Sequence, residues 1–90
     1  MKIYKVYDDE FSIICGKKQL LEFAESQVYN ASDDFIEENL DLNDKEDRRI
    51  FKLANKVLNS EPSELALTTV EQAKLLLNNR CYDVEEIEVY

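Results

Sequence analysis

Carboxylates are the chemically active side chains that this sequence supplies in quantity. The chain has 20 Asp and Glu residues against 11 Lys and Arg residues, and it has no histidine. The absence of histidine removes the commonest general base and the commonest neutral metal ligand. The densest acidic run is 32–47, where Lys45 is the only cation. Its acids are Asp33, Asp34, Glu37, Glu38, Asp41, Asp44, Glu46 and Asp47.

The acidic run resembles a calcium-binding loop only in part. Residues 41–52 align with an EF-hand loop at Asp41 and Asn43, which stand at the first two ligand positions. Glu46 stands where the loop requires glycine, and Lys52 replaces the bidentate acid at the end. We therefore expect no metal ion there.

The acids and cysteines also lack the spacing of a catalytic or zinc site. Neighbouring acids such as Asp33 and Asp34 point about 100° apart on a helix, so they do not form a catalytic pair. Cys15 and Cys81 are far apart in sequence and have no Cys-x-x-Cys spacing. Both lie in apolar, strand-like surroundings and are interpreted as buried, reduced thiols. We expect no catalytic residue, no cofactor and no enzymatic activity.

A charged binding surface is the remaining chemistry. On a helix, acids recurring every three to four residues place carboxylates about 5–6 Å apart, close to the roughly 6–7 Å between phosphates of a nucleic-acid strand. A protein groove that is lined with Arg and Lys to hold nucleic acid would bind such a row of carboxylates in place of phosphates. The predicted contacts are Asp33, Asp34, Glu37, Glu38, Asp41 and Asp44, with Asp8, Asp9 and Glu10 as a second contact. Further acids extend the field in the last strand: Asp83, Glu85, Glu86 and Glu88.

A purely structural account of the same run stays open. Acids in the first turn of a helix interact favourably with the helix dipole, each by a few tenths of a kcal/mol, roughly. Asp44 and Arg48 have the i,i+4 spacing of a helical ion pair. On this interpretation the run is a solvated surface with no partner.

Two strands and a helix are predicted in the N-terminal third. Residues 2–7 and 11–15 are rich in β-branched and aromatic side chains, and the polar residues 8–10 between them predict a β-hairpin. Gly16 ends the second strand. Apolar residues at helical spacing then predict a helix over 17–31.

The middle of the chain predicts two more helices. Ser32 is a suitable N-cap for a short acidic helix, and Asp44 for a longer helix over 45–59. One face of the longer helix carries cations at positions i, i+4, i+7 and i+11. We call them the basic stripe: Lys45, Arg49, Lys52 and Lys56.

The C-terminal third predicts one more helix. Residues 65–68 have the pattern of a short strand or an extended segment that leads into a helix over 69–79. Thr68 and Glu71 have the spacing of a capping box, and Asn79 is suited to a left-handed helix terminator.

A final strand completes the predicted fold. Apolar residues in 81–90 change phase, which predicts a bulge near Glu85 and Glu86. We expect an α+β fold, in which a small antiparallel sheet of the N-terminal hairpin and the C-terminal strand packs against three to four helices. The 90 residues suffice for a single domain, 1–90.

Composition limits the class of partner. The formal net charge of −9 disfavours direct binding to nucleic acid or to an anionic membrane, and it favours a basic protein surface. The N-terminus "MKIYKVYDDE" has no apolar signal region, and no run approaches 18 apolar residues. We expect a cytoplasmic protein.

The chain resembles one class of small proteins in size, charge and style. The opening "MKIYKVYDDEFSIICGKKQLLEF" and the ending "TTVEQAKLLLNNRCYDVEEIEV" are similar to short accessory proteins of phages that infect AT-rich Gram-positive hosts, anti-CRISPR proteins among them. The resemblance implies a stoichiometric inhibitor that acts in a bacterial host cell by occupying a nucleic-acid-binding site on a Cas effector. For a Cas9-type target, the PAM-reading arginines and the heteroduplex channel are basic surfaces of that kind. No motif aligns, so no residue role is transferred.

Two other functions stay open. A regulatory or assembly module would bind a protein partner, or a second copy, through exposed aromatic residues such as Tyr4, Tyr29, Tyr82 or Tyr90. A nucleic-acid-binding protein would instead use the basic stripe. The sequence leaves the oligomeric state undetermined.

Overall fold

Three strands and three helices form the described part of the chain. The structure, a computed structural model, describes residues 1–31, 35, 40–61 and 64–90. The elements, in chain order, are β1 (Lys2–Tyr7), β2 (Ser12–Cys15), α1 (Lys17–Asn30), α2 (Lys45–Leu58), α3 (Val70–Asn79) and β3 (Asp83–Glu88). The predicted α+β class is confirmed, and so are the hairpin, the C-terminal strand and three of the helices.

The sheet is antiparallel throughout, in the order β2-β1-β3. The polar residues predicted as a turn connect β1 to β2, and the Asp8 N–H donates to the Phe11 carbonyl oxygen at 2.9 Å. α1 and α3 pack against one face of the sheet, where Tyr4 and Val6 of β1 are buried in the core, and α2 packs on these two helices. Tyr4 is 6% exposed, so its predicted role as an exposed anchor is wrong.

The predicted bulge in β3 is also wrong. Residues of β1 and β3 pair one to one, from Lys2 with Glu88 to Tyr7 with Asp83. The phase change has another cause, because Val84 lies opposite buried Val6 whereas Ile87 pairs with Ile3 on the outer face. Both faces of β3 therefore carry a half-buried apolar residue.

The helices bury the apolar faces that their periodicity predicts. In α1 these residues are Leu20, Leu21, Ala24 and Val28; in α2, Ile50, Ala54 and Val57; in α3, Ala73, Leu76 and Leu77. A hydrogen bond at 3.0 Å from the Tyr29 hydroxyl to the Val57 carbonyl oxygen links α1 to the end of α2.

Two predicted helix ends are displaced. The capping box of α3 pairs Thr69 with Gln72, one residue after the predicted pair Thr68 and Glu71. Both pairs fit the sequence pattern, and the helix begins at Val70, which makes Thr69 the N-cap. After α3, the left-handed residue is Cys81, with φ 68°, and not Asn79.

The segment between α2 and α3 contains no strand at 65–68. A buried carboxylate holds it instead: Glu25, which is 5% exposed, accepts a hydrogen bond from the Leu67 backbone N–H at 3.1 Å. This contact connects α1 to the chain just before α3.

The two cysteines have different environments. Cys15 is buried, as predicted, and burial raises the pKa of its thiol. Cys81 is exposed, so the prediction that it is buried is wrong. Its left-handed turn lies at the surface, outside the strand that the sequence predicted to contain it.

Candidate acidic binding surface

Acids from two distant parts of the sequence meet at one end of the sheet. Since Tyr7 pairs with Asp83, the start of β3 lies beside the turn that follows β1. An open depression of about 300 Å³ there is lined by four acids and Cys81. We call these four acids the acidic end: Asp8, Asp9, Glu10 and Asp83. All four are exposed, so their charge faces solvent.

The turn that carries three of these acids is well anchored. The Asp8 carboxylate accepts a hydrogen bond from the Glu10 backbone N–H at 2.8 Å. Phe11, the next residue, packs its ring on Phe23 of α1 and on Tyr82 beside β3, with ring centroids 5.7 and 6.0 Å apart. Anchoring on both sides holds the carboxylates in place, which lowers the entropic cost of presenting them to a partner.

The two acids of β3 that lie farthest from the turn are paired with positive charges. Glu86 forms an ion pair with Lys2 at 3.1 Å, and Glu88 lies 3.6 Å from the N-terminal amine. The bond to Glu86 raises the pKa of Lys2. Within the described residues, Asp83 and Glu85 have no ion pair, so the field is strongest at the hairpin.

The described acids of the run 32–47 form the N-terminus of α2. Asp44 accepts hydrogen bonds from the backbone N–H groups of Glu46 and Asp47, at 2.8 and 3.4 Å. Asp41 accepts one from Asn43 at 2.9 Å, and Asp47 accepts one from Asp41 at 3.0 Å. Asp41, Asp44 and Asp47 are exposed or half-buried, but each carboxylate accepts a backbone hydrogen bond, which favours the structural account for this part of the run.

The remaining predicted contacts, Asp33, Asp34, Glu37 and Glu38, lie outside the described residues. Two apolar neighbours from the same run, Phe35 and Leu40, are buried in the core. The ring of Phe35 also lies 5.9 Å below the Arg80 guanidinium. The run is thus anchored at Phe35 and at Leu40.

Comparison with protein-family models, curated proteins and solved structures finds no match. The resemblance to anti-CRISPR proteins stays a prediction.

The described residues contain no group of three or more acids or cysteines placed to hold a metal ion. The acids of the acidic end line an open depression and are not among any such group. In the ranges that the structure covers, no helix is both long and apolar enough to cross a membrane.

The basic stripe lies on the solvent side of α2. All four of its residues are exposed, on the side away from the core face formed by Ile50, Ala54 and Val57. The predicted Asp44–Arg48 ion pair is not formed, because Asp44 caps the helix instead. The part of the chain described here shows no ion pair for any residue of the stripe.

The sequence predicts the acidic end only in part: Asp8, Asp9 and Glu10 form a predicted second contact, and Asp83 a predicted extension of the field. These four acids lie together because of the β1–β3 register, which cannot be read from a single sequence. One signal was present: antiparallel pairing of the first and last strands would bring the start of the last strand beside the hairpin turn.

Proposed function

We propose that this protein is a non-enzymatic binding protein whose acidic end occupies a basic, nucleic-acid-binding surface of a partner protein. The observation that supports it is that Asp8, Asp9 and Glu10, on an anchored turn, line one exposed depression together with Asp83 at the start of β3. Binding would exclude nucleic acid from the partner, which makes the protein a stoichiometric inhibitor.

The charge distribution supports this proposal. The acids at the hairpin face solvent without cations within ion-pair distance, in the part of the chain that the structure covers. Opposite charges on two proteins accelerate their encounter, and salt weakens that effect. We expect the association rate to fall steeply with ionic strength.

The class of partner follows from the resemblance to anti-CRISPR proteins. The proposed target is a Cas nuclease, or another bacterial protein with an Arg- and Lys-rich nucleic-acid channel. In a Cas9-type enzyme, the arginines that read the PAM bind guanine through bidentate hydrogen bonds. Fixed carboxylates can accept the same bidentate bonds.

Charge reversal at the acidic end tests the proposal. The variant Asp9→Lys/Glu10→Lys/Asp83→Lys keeps Asp8, whose side chain holds the turn. The matched control Glu61→Lys/Glu64→Lys/Glu71→Lys also replaces three exposed acids, so both variants have a net charge of −3 in place of −9. Partners are captured from host lysate at low and high salt and identified by mass. Displacement of a labelled PAM duplex from a guide-loaded Cas9-type nuclease is then measured.

We expect the acidic-end variant to lose partner capture and displacement while the control variant keeps both. Equal activity of the two variants would contradict the role of the acidic end. A third variant, Asp33→Lys/Asp34→Lys/Glu37→Lys/Glu38→Lys, reports separately on the acids outside the described residues. If only this variant loses binding, the contact lies in the run 32–47 instead.

An assembly module is the second candidate function. It is favoured by exposed apolar side chains on and beside β2, namely Phe11 and Ile14. Binding through these side chains would depend little on salt, and it would be lost when they are replaced.

A further inference from the structure

The two outer strands of the sheet differ in how they are protected from pairing. Natural proteins place charges on exposed sheet edges to prevent association. Four of the six residues of β3 are acidic, whereas β2, Ser12–Cys15, has no charged residue. On β2, Ile14 is 63% exposed, and no described strand pairs with its outer edge. The edge of β2 is therefore the one open to another strand.

The hairpin determines which backbone groups this edge presents. The hydrogen bond from the Asp8 N–H to the Phe11 carbonyl makes these residues a hydrogen-bonded pair. Hydrogen-bonded and non-hydrogen-bonded pairs alternate along an antiparallel ladder. The Ile13–Val6 pair is thus bonded, and Ser12 and Ile14 direct their N–H and C=O groups away from β1.

We propose that two copies of the chain associate by antiparallel pairing of β2 with β2, which joins their sheets into one of six strands. In the register that uses the outward groups, Ser12 of each copy exchanges hydrogen bonds with Ile14 of the other. The two Ile13 side chains then meet at the two-fold axis, on the helix-covered face. This inference does not depend on the proposed function.

Charge complementarity favours a second copy over an unrelated segment. The acidic turn with Asp8 and Asp9 lies at one end of β2, and Lys17 and Lys18 follow at the other. Antiparallel pairing places each turn beside the other copy's lysines, twice per dimer. Continued past the ends of β2, the same register aligns Asp9 of one copy with Lys17 of the other. All four side chains are exposed, and the described residues offer them no ion-pair partner.

Apolar surface is buried by the same pairing. Ile13, Cys15 and Phe23 belong to the apolar part of an open depression of about 470 Å³ between β2 and α1, which Gln19, Glu22 and Ser26 of α1 also line. The two-fold axis is perpendicular to the sheet, so both α1 helices lie on the same side and the two depressions meet above the Ile13 pair. The edge is only four residues long, so we expect a weak dimer with a dissociation constant in the micromolar range, on the order of other small interfaces.

Association is measured by sedimentation velocity and light scattering, from low micromolar protein to roughly 1 mM, to span the expected constant. We expect a rise to twice the 10.6 kDa monomer mass. Ile14→Lys, at an exposed position, should weaken the dimer by at least ~10-fold. Ile87→Lys, the same change on the other outer strand, should not. Asp9→Lys should also weaken the dimer, and adding Lys17→Asp should restore it.

The register is tested by cross-linking in a Cys15→Ala/Cys81→Ala background whose fold is checked by circular dichroism. Non-hydrogen-bonded partners have Cα atoms about 4.5 Å apart, within the range of a disulfide. Ile13→Cys should therefore form an intermolecular disulfide rapidly, and Ile14→Cys should not. A monomer at every concentration overturns the proposal, including the case in which the edge binds another protein. A dimer that Ile14→Lys leaves intact also overturns the proposal. The same holds if Ile14→Cys forms the intermolecular disulfide as fast as Ile13→Cys.

Discussion

A single buried carboxylate sets the path of the segment before α3. Glu25 faces the interior from α1, and its Oε2 accepts the Leu67 backbone N–H at 3.1 Å. Leu67 itself is 2% exposed, so its N–H is shielded from solvent and depends on Glu25 as its hydrogen-bond acceptor. A buried N–H without a hydrogen bond is costly, and this accounts for an acid in the core.

We therefore predict that Glu25→Ala destabilises the fold by about 1–3 kcal/mol, because the Leu67 N–H loses its acceptor. Glu25→Gln keeps an acceptor oxygen at the same place and should cost less. Urea denaturation followed by circular dichroism measures both free energies of unfolding. Equal losses in the two variants would mean that the hydrogen bond is not the source of the effect.

The helices show how far local pattern determines an element. The predicted starts of α1 at Lys17 and of α2 at Lys45 agree with the structure, and Asp44 is the N-cap of α2 as predicted. The error at α3 is of one residue, since two overlapping Thr-initiated patterns fit the sequence there. Capping signals depend on residues close in sequence and can be recognised there, but two possible helix starts one residue apart have nearly equal local energies.

Removing the α2 cap should cost about 1 kcal/mol of stability, within the range of measured N-cap substitutions. In Asp44→Ala the Glu46 and Asp47 N–H groups lose their acceptor, whereas Asp44→Asn keeps one. Asp9→Ala serves as the control, since Asp9 is exposed and accepts no hydrogen bond within the described residues. Thermal unfolding should rank Asp44→Ala lowest; a value matching the control would show that Asp44 acts only through its charge.

At the scale of the whole molecule, charge is unevenly distributed. The chain has 20 acids and 11 basic residues, and five of the basic residues lie on α2. Lys2 and the N-terminal amine form ion pairs with Glu86 and Glu88 at the end of β3. Repulsion among acids is therefore expected to outweigh attraction in the folded state.

Salt should consequently stabilise this protein. Raising NaCl from about 0.01 M to about 1 M shortens the Debye length from ~30 Å to ~3 Å and screens the repulsion. We expect a gain on the order of 1 kcal/mol, which corresponds to a rise in Tm of roughly 4–8 °C for a domain of this size. The Glu61→Lys/Glu64→Lys/Glu71→Lys variant, at net charge −3, should respond less. A Tm that falls with salt would show that attractive pairs dominate.

The proposed dimer and the proposed partner use the same turn. Asp9 would contact Lys17 of the second copy in one complex and a basic surface in the other. Binding of either should weaken binding of the other, because the two compete for one set of carboxylates.

The charge balance, the absence of a histidine base or ligand, and the type of each described element can all be read from the amino-acid sequence alone. These properties depend on composition or on periodicity within a few residues, and such patterns need no knowledge of contacts. The apolar faces of the helices and the hairpin were predictable for that reason.

Strand pairing, register and the burial of individual side chains, in contrast, follow from the tertiary fold. Because β1 pairs with β3 one to one, Asp83 lies beside the hairpin acids and β3 has no bulge. The strand order also leaves β2 as an edge strand without charged residues. Tyr4 is buried and Cys81 exposed for the same kind of reason. Strand order and register come from contacts between residues more than seventy positions apart, and a local pattern carries no information on which strand lies beside which.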